Sequence, residues 1–300
     1  MSAAAATNAP RIKRFKRQKH ENRVGYLFVT PYLIGFLVFQ GIPFLLAFVF
    51  GFMNVRYPNR IGEATFVGFD QFVRFFNDKL SLEALGRTGI YTLIYVPLIM
   101  VIGFVLAAAI NQKIYCRNVV RTMLFMPYVS NMMAVAMVFI VMLGPTGPIG
   151  SALGVPLLFD TATALPTVTI IGVWKGLGLN MVTYLGALQN VPRDLLEAAD
   201  IDGAGRWKKI VHVTIPMVSP TTFFLLISSI ITSLQNYTTI QTLTQGGPGR
   251  STTVMSIQIV RTAFTSYQTS YASAMAIIMF AIVMIFTAIQ WRGQKTWVNY

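Results

Sequence analysis

The chain of 300 residues is 54% hydrophobic and only 11% charged, whereas soluble domains carry about 25% charged residues, so a soluble globular domain is excluded. Its formal net charge of +14 does not indicate a nucleic-acid partner, because the basic residues cluster in the N-terminal tail and in short loops. One cysteine, Cys116, and two histidines, His20 and His212, exclude an internal disulfide and a histidine–cysteine metal cluster.

The N-terminal tail, residues 1–25, contains the basic run "RIKRFKRQKHENR" (Arg11–Arg23) and no apolar core followed by a small-residue cleavage site. We therefore predict a retained cytoplasmic tail rather than a cleaved signal peptide. Residues 26–300 are predicted to form a single transmembrane domain, because the sequence contains no internal repeat, low-complexity linker or second soluble domain.

The rest of the chain is organised around apolar stretches of about twenty residues, the length of a helix that crosses about 30 Å of hydrocarbon. Lys and Arg are more frequent in the segments that would share a side with the N-terminus, which predicts that both termini are cytoplasmic. The fold class is therefore all-α and polytopic, with six predicted spans: Tyr26–Gly51, Thr88–Ile110, Thr122–Leu143, Pro166–Leu188, Ile215–Asn236 and Tyr271–Trp291.

The loop between the first two spans carries the run "FVGFDQFVRFF", Phe66–Phe76. Its aromatic and polar residues alternate at helical spacing, which predicts a short amphipathic helix lying at the outer membrane interface.

The fourth span contains a lysine, Lys175, nine residues after Pro166. A lysine in a span costs about 2.5–3.5 kcal/mol on insertion scales, so it usually faces protein or water. Three interpretations remain open. The ammonium reaches toward the outer interface, or the predicted span boundary is displaced. Alternatively, the ammonium faces a polar cavity and favours an anionic substrate.

Residues 189–214 form a cytoplasmic loop by the charge rule, and their pattern predicts two short helices. The first begins at Pro192, which suits a first helical position because its missing N–H is not needed there. Arg193 and Glu197 are spaced as an i,i+4 ion pair.

A turn is predicted at Asp202-Gly203, because glycine tolerates positive φ. A second helix, Arg206–Val213, then leads to Pro216 at the start of the fifth span. Composition alone is also compatible with an amphipathic loop helix that simply lies in solvent at the interface.

The fifth span ends in the polar run "SSIITSLQNYTT". Ser229, Ser233 and Asn236 fall near one helical face, with Gln235 and Tyr237 beside them. Such residues either pack between helices or line a path, where amide and aromatic groups suit sugar hydroxyls and ring faces.

The cytoplasmic loop resembles the EAA loop of permease subunits of bacterial binding-protein-dependent ABC importers. That pattern is E-A-A, three residues, G, nine residues, I, one residue, L-P, and this chain matches it without a gap from Glu197 to Pro216, with Val213 for Ile and Ile215 for Leu. The resemblance implies a type I importer permease fold whose coupling helix docks on a separate ATPase subunit, through Glu197, Ala198, Ala199, Asp202, Gly203 and Pro216.

Other segments resemble the carbohydrate branch of that family, the maltose-type first permease subunit: "TPYLIGFLVFQGIPFLLAF" (Thr30–Phe48), "FVGFDQF" (Phe66–Phe72), "LGALQNVPRDLLEAADIDGAG" (Leu185–Gly205) and "LTQGGPGRSTTVMSIQIVRTAF" (Leu243–Phe264). This resemblance implies uptake of an oligosaccharide across the bacterial inner membrane. The expected partners are a second homologous permease subunit, two ATPase subunits, an extracytoplasmic sugar-binding protein and membrane lipid. The implied substrate path comprises Lys175, Gly176, Leu179, Ser233, Gln235, Asn236 and Tyr237. If Lys175 faces the cavity there, an acidic sugar, such as an alginate or pectin fragment, is expected.

The run "GGPGRST" lacks the spacing and the lysine of a phosphate-binding P-loop. We therefore expect no cofactor on this chain and no enzymatic activity of its own, with ATP and Mg²⁺ bound by the partner ATPases. The alternative is a stand-alone secondary transporter or channel for a small polar solute. Such a protein is expected to carry acids or histidines within its spans, and the sequence places none well inside any span.

Overall fold

The computed structural model describes residues 25–55, 64–112 and 115–297. The predicted cytoplasmic tail, apart from Gly25, lies outside the described residues.

The first half of the described chain is helical apart from one small hairpin. Its elements are α1 (Gly25–Phe50, with a π-helical turn at Leu37–Gly41), β1 (Met53–Asn54), β2 (Thr65–Phe66), α2 (Asp70–Asn77), α3 (Lys79–Asn111), α4 (Arg117–Val129), α5 (Met132–Leu143) and α6 (Pro148–Leu153). The two strands pair antiparallel, with Met53 opposite Phe66.

In the second half of the chain, the described residues form helices and the loops between them. The helices are α7 (Ala164–Gln189), α8 (Arg193–Ile201), α9 (Arg206–Met217, with a π-helical turn at Ile210–Thr214), α10 (Ser219–Leu234), α11 (Thr238–Leu243), α12 (Met255–Val260, followed by a π-helical turn at Arg261–Thr265) and α13 (Thr269–Trp297).

Five segments of the described chain are long and apolar enough to cross a membrane: α1, α3, Met132–Leu153, α7 and α13. α9 and α10, which meet at an angle of 69°, make a sixth when they are counted together as one bent span. The predicted all-α fold with six spans is therefore confirmed, and the short helix predicted within Phe66–Phe76 is α2.

Three predicted spans were wrong in their limits or in their continuity. The second span was predicted to begin at Thr88, but α3 begins at Lys79. The Asp78 side chain caps that end by accepting from the Leu80 N–H at 3.1 Å, and a Glu83–Arg87 ion pair of 3.0 Å lies in the added turns. Capping and pairing of this kind let a helix continue into polar sequence beyond its apolar part.

The third span was predicted as one helix, Thr122–Leu143, but it is broken between α4 and α5. Ser130 has an extended backbone (ψ 145°), and Asn131 caps α5 by accepting from the Met133 N–H at 2.8 Å. Short polar side chains favour caps over helix interiors, so the Ser-Asn pair ends one helix and starts another.

The fifth span was predicted as one helix, Ile215–Asn236, but the chain turns sharply at Val218, and α10 ends at Leu234. Pro216 and Pro220 flank the turn. Proline removes a backbone donor and clashes with the preceding turn, which explains the corner.

The core centres on α7, which packs along α3 with the two helices running in the same direction. Glycines allow the close approach: a Cβ on Gly172 would lie 2.6 Å from the Tyr91 hydroxyl, and one on Gly176 would lie 2.8 Å from the Tyr95 hydroxyl. On another side, a Cβ on Gly178 would lie 2.9 Å from the Phe125 Cα of α4. Small residues four apart are a common means of bringing membrane helices together.

Candidate functional site

The loop between α7 and α10 has the predicted two-helix form. Pro192 is the cap residue before α8 rather than its first helical residue, since its ψ of 132° is extended. Asp194 lies in the first turn of α8, where a negative charge interacts favourably with the helix dipole. No residue of α8 is buried, and only Leu196 and Ala199 are half-buried, so most of the helix surface is open.

The turn after α8 is formed as predicted at Gly203, whose φ is +71°. The Ala204 N–H donates to the Ala199 carbonyl at 2.9 Å and the Asp202 N–H to the Ala198 carbonyl at 3.0 Å. A Cβ at Gly203 would meet no atom within 4 Å, so the positive φ alone explains why glycine is favoured there.

An ion pair braces the two short helices: the Lys209 ammonium lies 2.6 Å from the Asp200 carboxylate. The predicted Arg193–Glu197 pair does not form within the described chain. Glu197 and Ala198 are exposed and Ala199 is half-buried, which leaves the acidic, small-residue surface of α8 uncovered.

Two large apolar side chains flank this surface. Ile201 is 87% exposed and Trp207 is 79% exposed, although neither lies in a predicted span. Exposed apolar groups beside a polar loop are typical of surfaces that bind another protein.

Lys175 is directed into the break of the third span. Its ammonium donates to the carbonyls of Pro127 at 3.2 Å, Tyr128 at 3.3 Å and Ser130 at 2.8 Å. The last carbonyls of a helix have no partner within it and carry partial negative charge. Lys175 therefore satisfies the end of α4, a role that depends on the unpredicted break.

The neighbouring candidates on α7 differ from one another. Gly176 faces α3 and is occupied by helix packing, because its Cβ position lies 2.7 Å from the Ile99 side chain. Leu179 is 40% exposed and lies on an open face of the helix.

The polar residues at the end of α10 also fall into two groups: some pack against other helices of the chain, and others have open side chains. Ser233 is buried and donates to Thr92 on α3 at 3.1 Å. Asn236 donates through Nδ2 to the Tyr91 hydroxyl at 2.6 Å, while Tyr237 is half-buried and Gln235 is exposed. Ser233 and Asn236 thus connect α10 to α3, and Gln235 presents an amide to the outside of this chain.

Sequence reasoning missed the tyrosine pair on α3. The rings of Tyr91 and Tyr95 stack with centroids 5.5 Å apart, and their hydroxyls lie against the two glycines of α7. The available signals were the tyrosines, four residues apart within an apolar span, and the matching spacing of Gly172 and Gly176.

The profile of the family described as binding-protein-dependent transport system inner membrane component matches residues 99–292. The probable ABC transporter permease protein YesP of Bacillus subtilis (strain 168) is 30% identical over 97% of this chain and 97% of its own length. The lactose transport system permease protein LacF of Rhizobium radiobacter is 32% identical over 90% of this chain and 94% of its own length.

Similar values are found for the sn-glycerol-3-phosphate transport system permease protein UgpA of Pectobacterium atrosepticum, 30% identical over 92% of this chain and 95% of its own length. Among solved structures, a bacterial alginate ABC transporter in complex with an alginate pentasaccharide-bound periplasmic protein has a chain with a TM-score of 0.79 and 23% identity. That match covers 94% of this chain and 97% of the other. The fold is therefore shared along almost the whole length.

Proposed function

The chain belongs to the family of binding-protein-dependent transport system inner membrane components, and from that membership we propose that it forms half of the pore of an ATP-driven sugar importer. A second homologous permease subunit would complete the pore, and two ATPase subunits would drive it. A binding protein on the outer side would deliver the substrate. Loop 189–214 and both termini would face the cytoplasm, in agreement with the distribution of Lys and Arg.

The observation that carries this proposal is the exposed, braced helix α8. Its acidic and alanine surface is uncovered, its end is held by the Gly203 turn, and the Lys209–Asp200 ion pair joins it to α9. A helix held in this way can transmit force applied by a docked partner to the spans that flank the loop. We propose that Glu197, Ala198 and Ala199 contact the ATPase subunit.

The proposed cargo is an oligosaccharide. Support comes from relatives named for lactose and for starch degradation products, while another relative is named for sn-glycerol-3-phosphate. Leu179 and Gln235 are the candidate path residues with open side chains, and we propose that they line the cavity shared with the second permease subunit.

An acidic sugar was expected on the condition that Lys175 faces the cavity. An ammonium has three N–H groups, and three backbone carbonyls of α4 and its end lie within hydrogen-bonding distance of it. We propose that Lys175 stabilises the broken third span and does not set the preference between acidic and neutral sugars.

The function is tested by isolating the full chain from native membranes and identifying what accompanies it. An ATPase subunit should co-purify with the wild type. Ala198→Trp, which adds a large side chain to the exposed face of α8, should abolish this association and ATP-dependent uptake. The matched control, Asn190→Trp, adds the same group to an exposed residue before α8 and should retain both. Solute uptake by the chain in liposomes without any ATPase would instead support a secondary transporter.

A further inference from the structure

A pocket of about 1010 Å³ with a mixed polar and apolar wall opens where α3 and α7 end and where α4 and α8 begin. Two arginines, Arg117 and Arg193, contribute to its wall, together with the amides of Asn111, Gln112 and Gln189. None of the described residues that line it is acidic. The pocket therefore combines positive charge with hydrogen-bond donors, which is the chemistry that recognises an anion.

Arg117 has hydrogen-bonding capacity that the described protein does not use. Its Nη2 atom is buried and has no hydrogen-bond partner among the described residues. Leaving a donor of a charged group unsatisfied is costly. A phosphate oxygen is the natural acceptor, because a guanidinium presents a planar fork of donors that matches phosphate geometry.

The position of the pocket indicates where the anion comes from. α3 ends at Asn111 and α7 at Gln189, so two helices long and apolar enough to cross a membrane end beside the pocket. In a bilayer, such helix ends would lie where hydrocarbon gives way to lipid headgroups. Tyr115, at the rim, is 93% exposed, and tyrosine is enriched at membrane–water interfaces. Basic pockets between transmembrane helices on the cytoplasmic side are known sites for anionic headgroups.

We propose that this pocket binds the phosphate of an anionic phospholipid of the cytoplasmic leaflet. The assignment of the leaflet rests on the proposed function, but the site itself does not. Arg193 and Leu196 of α8 belong to the same wall, so a bound headgroup would contact both the membrane spans and the loop helix. Lipid occupancy would then influence the position of α8.

The test uses the purified full chain in nanodiscs of neutral phosphatidylcholine with increasing phosphatidylglycerol, and native mass spectrometry counts the retained lipids. The wild type should retain phosphatidylglycerol selectively. Arg117→Gln should weaken that retention by about tenfold or more, as expected for loss of a charge-assisted hydrogen bond. Lys208→Gln, which removes one positive charge from loop 189–214 outside the pocket wall, should change it little.

Three outcomes overturn the proposal: equal retention of the two lipids by the wild type, equal losses in the two variants, or displacement of phosphatidylglycerol by millimolar inorganic phosphate. The last result would identify a soluble anion as the ligand. If Arg117→Gln does not fold, Arg117→Lys keeps the charge but not the fork of donors, and it should still weaken retention. Because the readout is lipid binding, the absence of a co-purifying ATPase would contradict the proposed function and leave this result unaffected.

Discussion

The contact between Gly172 and Tyr91 allows a sharp prediction about helix packing. A Cβ at Gly172 would lie 2.6 Å from the Tyr91 hydroxyl, and Tyr91 is fully buried. That hydroxyl cannot easily move, because it accepts from Asn236 at 2.6 Å and its ring stacks on Tyr95. Gly172→Ala must therefore separate α3 from α7 by several tenths of an ångström.

The expected cost follows from two opposing effects. Overpacking a core typically costs about 1–3 kcal/mol, whereas replacing glycine by alanine within a helix contributes about 0.5–1 kcal/mol of stability. Gly172→Ala should therefore lower the free energy of unfolding by about 1 kcal/mol, the central value of a difference that runs from about 0 to about 2.5 kcal/mol. Gly186→Ala is the matched control on the same helix, since its Cβ would meet no atom within 4 Å, and it should be neutral or stabilising.

The assay is reversible unfolding of the purified chain in mixed micelles, measured by circular dichroism against the fraction of denaturing detergent. Tyr91→Phe is the second variant of a double-mutant cycle. It removes the hydroxyl, so that the nearest atoms of α3 then lie 3.7 and 3.8 Å from the new Cβ. It also costs the Asn236 hydrogen bond, about 1 kcal/mol. The double variant should be more stable than the sum of the single effects predicts, by about 1 kcal/mol or more.

The packing argument is refuted if Gly172→Ala is as stable as Gly186→Ala. It is refuted equally if the effects of Gly172→Ala and Tyr91→Phe simply add. Either result would mean that α3 and α7 are not held at the distance that the glycines allow.

Three further predictions concern single residues. Lys175→Met should lower the free energy of unfolding, because carbonyls of α4 lose their donor. In transport assays it should leave the preference between acidic and neutral sugars unchanged. A changed preference would place the ammonium in the substrate path. Gly203→Ala should destabilise the turn after α8 by about 1 kcal/mol, the cost of positive φ for an L-residue, and should weaken ATPase association; full retention of the ATPase would contradict the coupling role. Burial disfavours the charge of Asp78, but hydrogen bonds from Ser81 and Tyr271 and from the Leu80 N–H outweigh it and hold its pKa below the ordinary 3.8. The stabilising contribution of Asp78 should therefore be fully present above pH 3.8 and be lost as the pH falls through the lowered value. Asp78→Asn should be less sensitive to acid over that window, and an identical acid transition in both proteins would refute the assignment.

The sequence was most informative where one physical rule acts along a continuous segment. Apolar length located all six spans because hydrocarbon requires about twenty apolar residues, regardless of what packs against them. The turn at Gly203 was predictable for a similar reason, since its positive φ is satisfied locally and touches no other element.

Prediction was weaker where the outcome depends on contacts between distant segments. The break at Ser130 leaves carbonyls that need a donor, and the donor, Lys175, is supplied from another helix. Without the break, Lys175 has no evident partner and suggests a charged cavity. Gly176 was placed in the substrate path by the family resemblance, and its packing against Ile99 and Tyr95 depends on positions on another helix that the sequence does not reveal.

The same contacts suggest how force applied to α8 would spread through the protein. α7 is joined to α3 through Gly172 and Gly176 and to α4 through Gly178 and Lys175. Close backbone contact at several points along a helix leaves little room for sliding, so these three helices should move as one block. This block is reached directly from the loop, because α8 follows α7 after only three residues.

The other end of the loop enters the membrane through a corner rather than a straight helix. Val218, at the 69° turn between α9 and α10, is 1% exposed and belongs to the same buried cluster as Leu188 at the end of α7. Both ends of the loop are therefore anchored in one apolar cluster, although one continues as a rigid span and the other as a bent one. Force applied to α8 would therefore reach two differently built spans: the α3–α4–α7 block, which is joined by several close backbone contacts, and α10, which meets α9 at the Val218 corner.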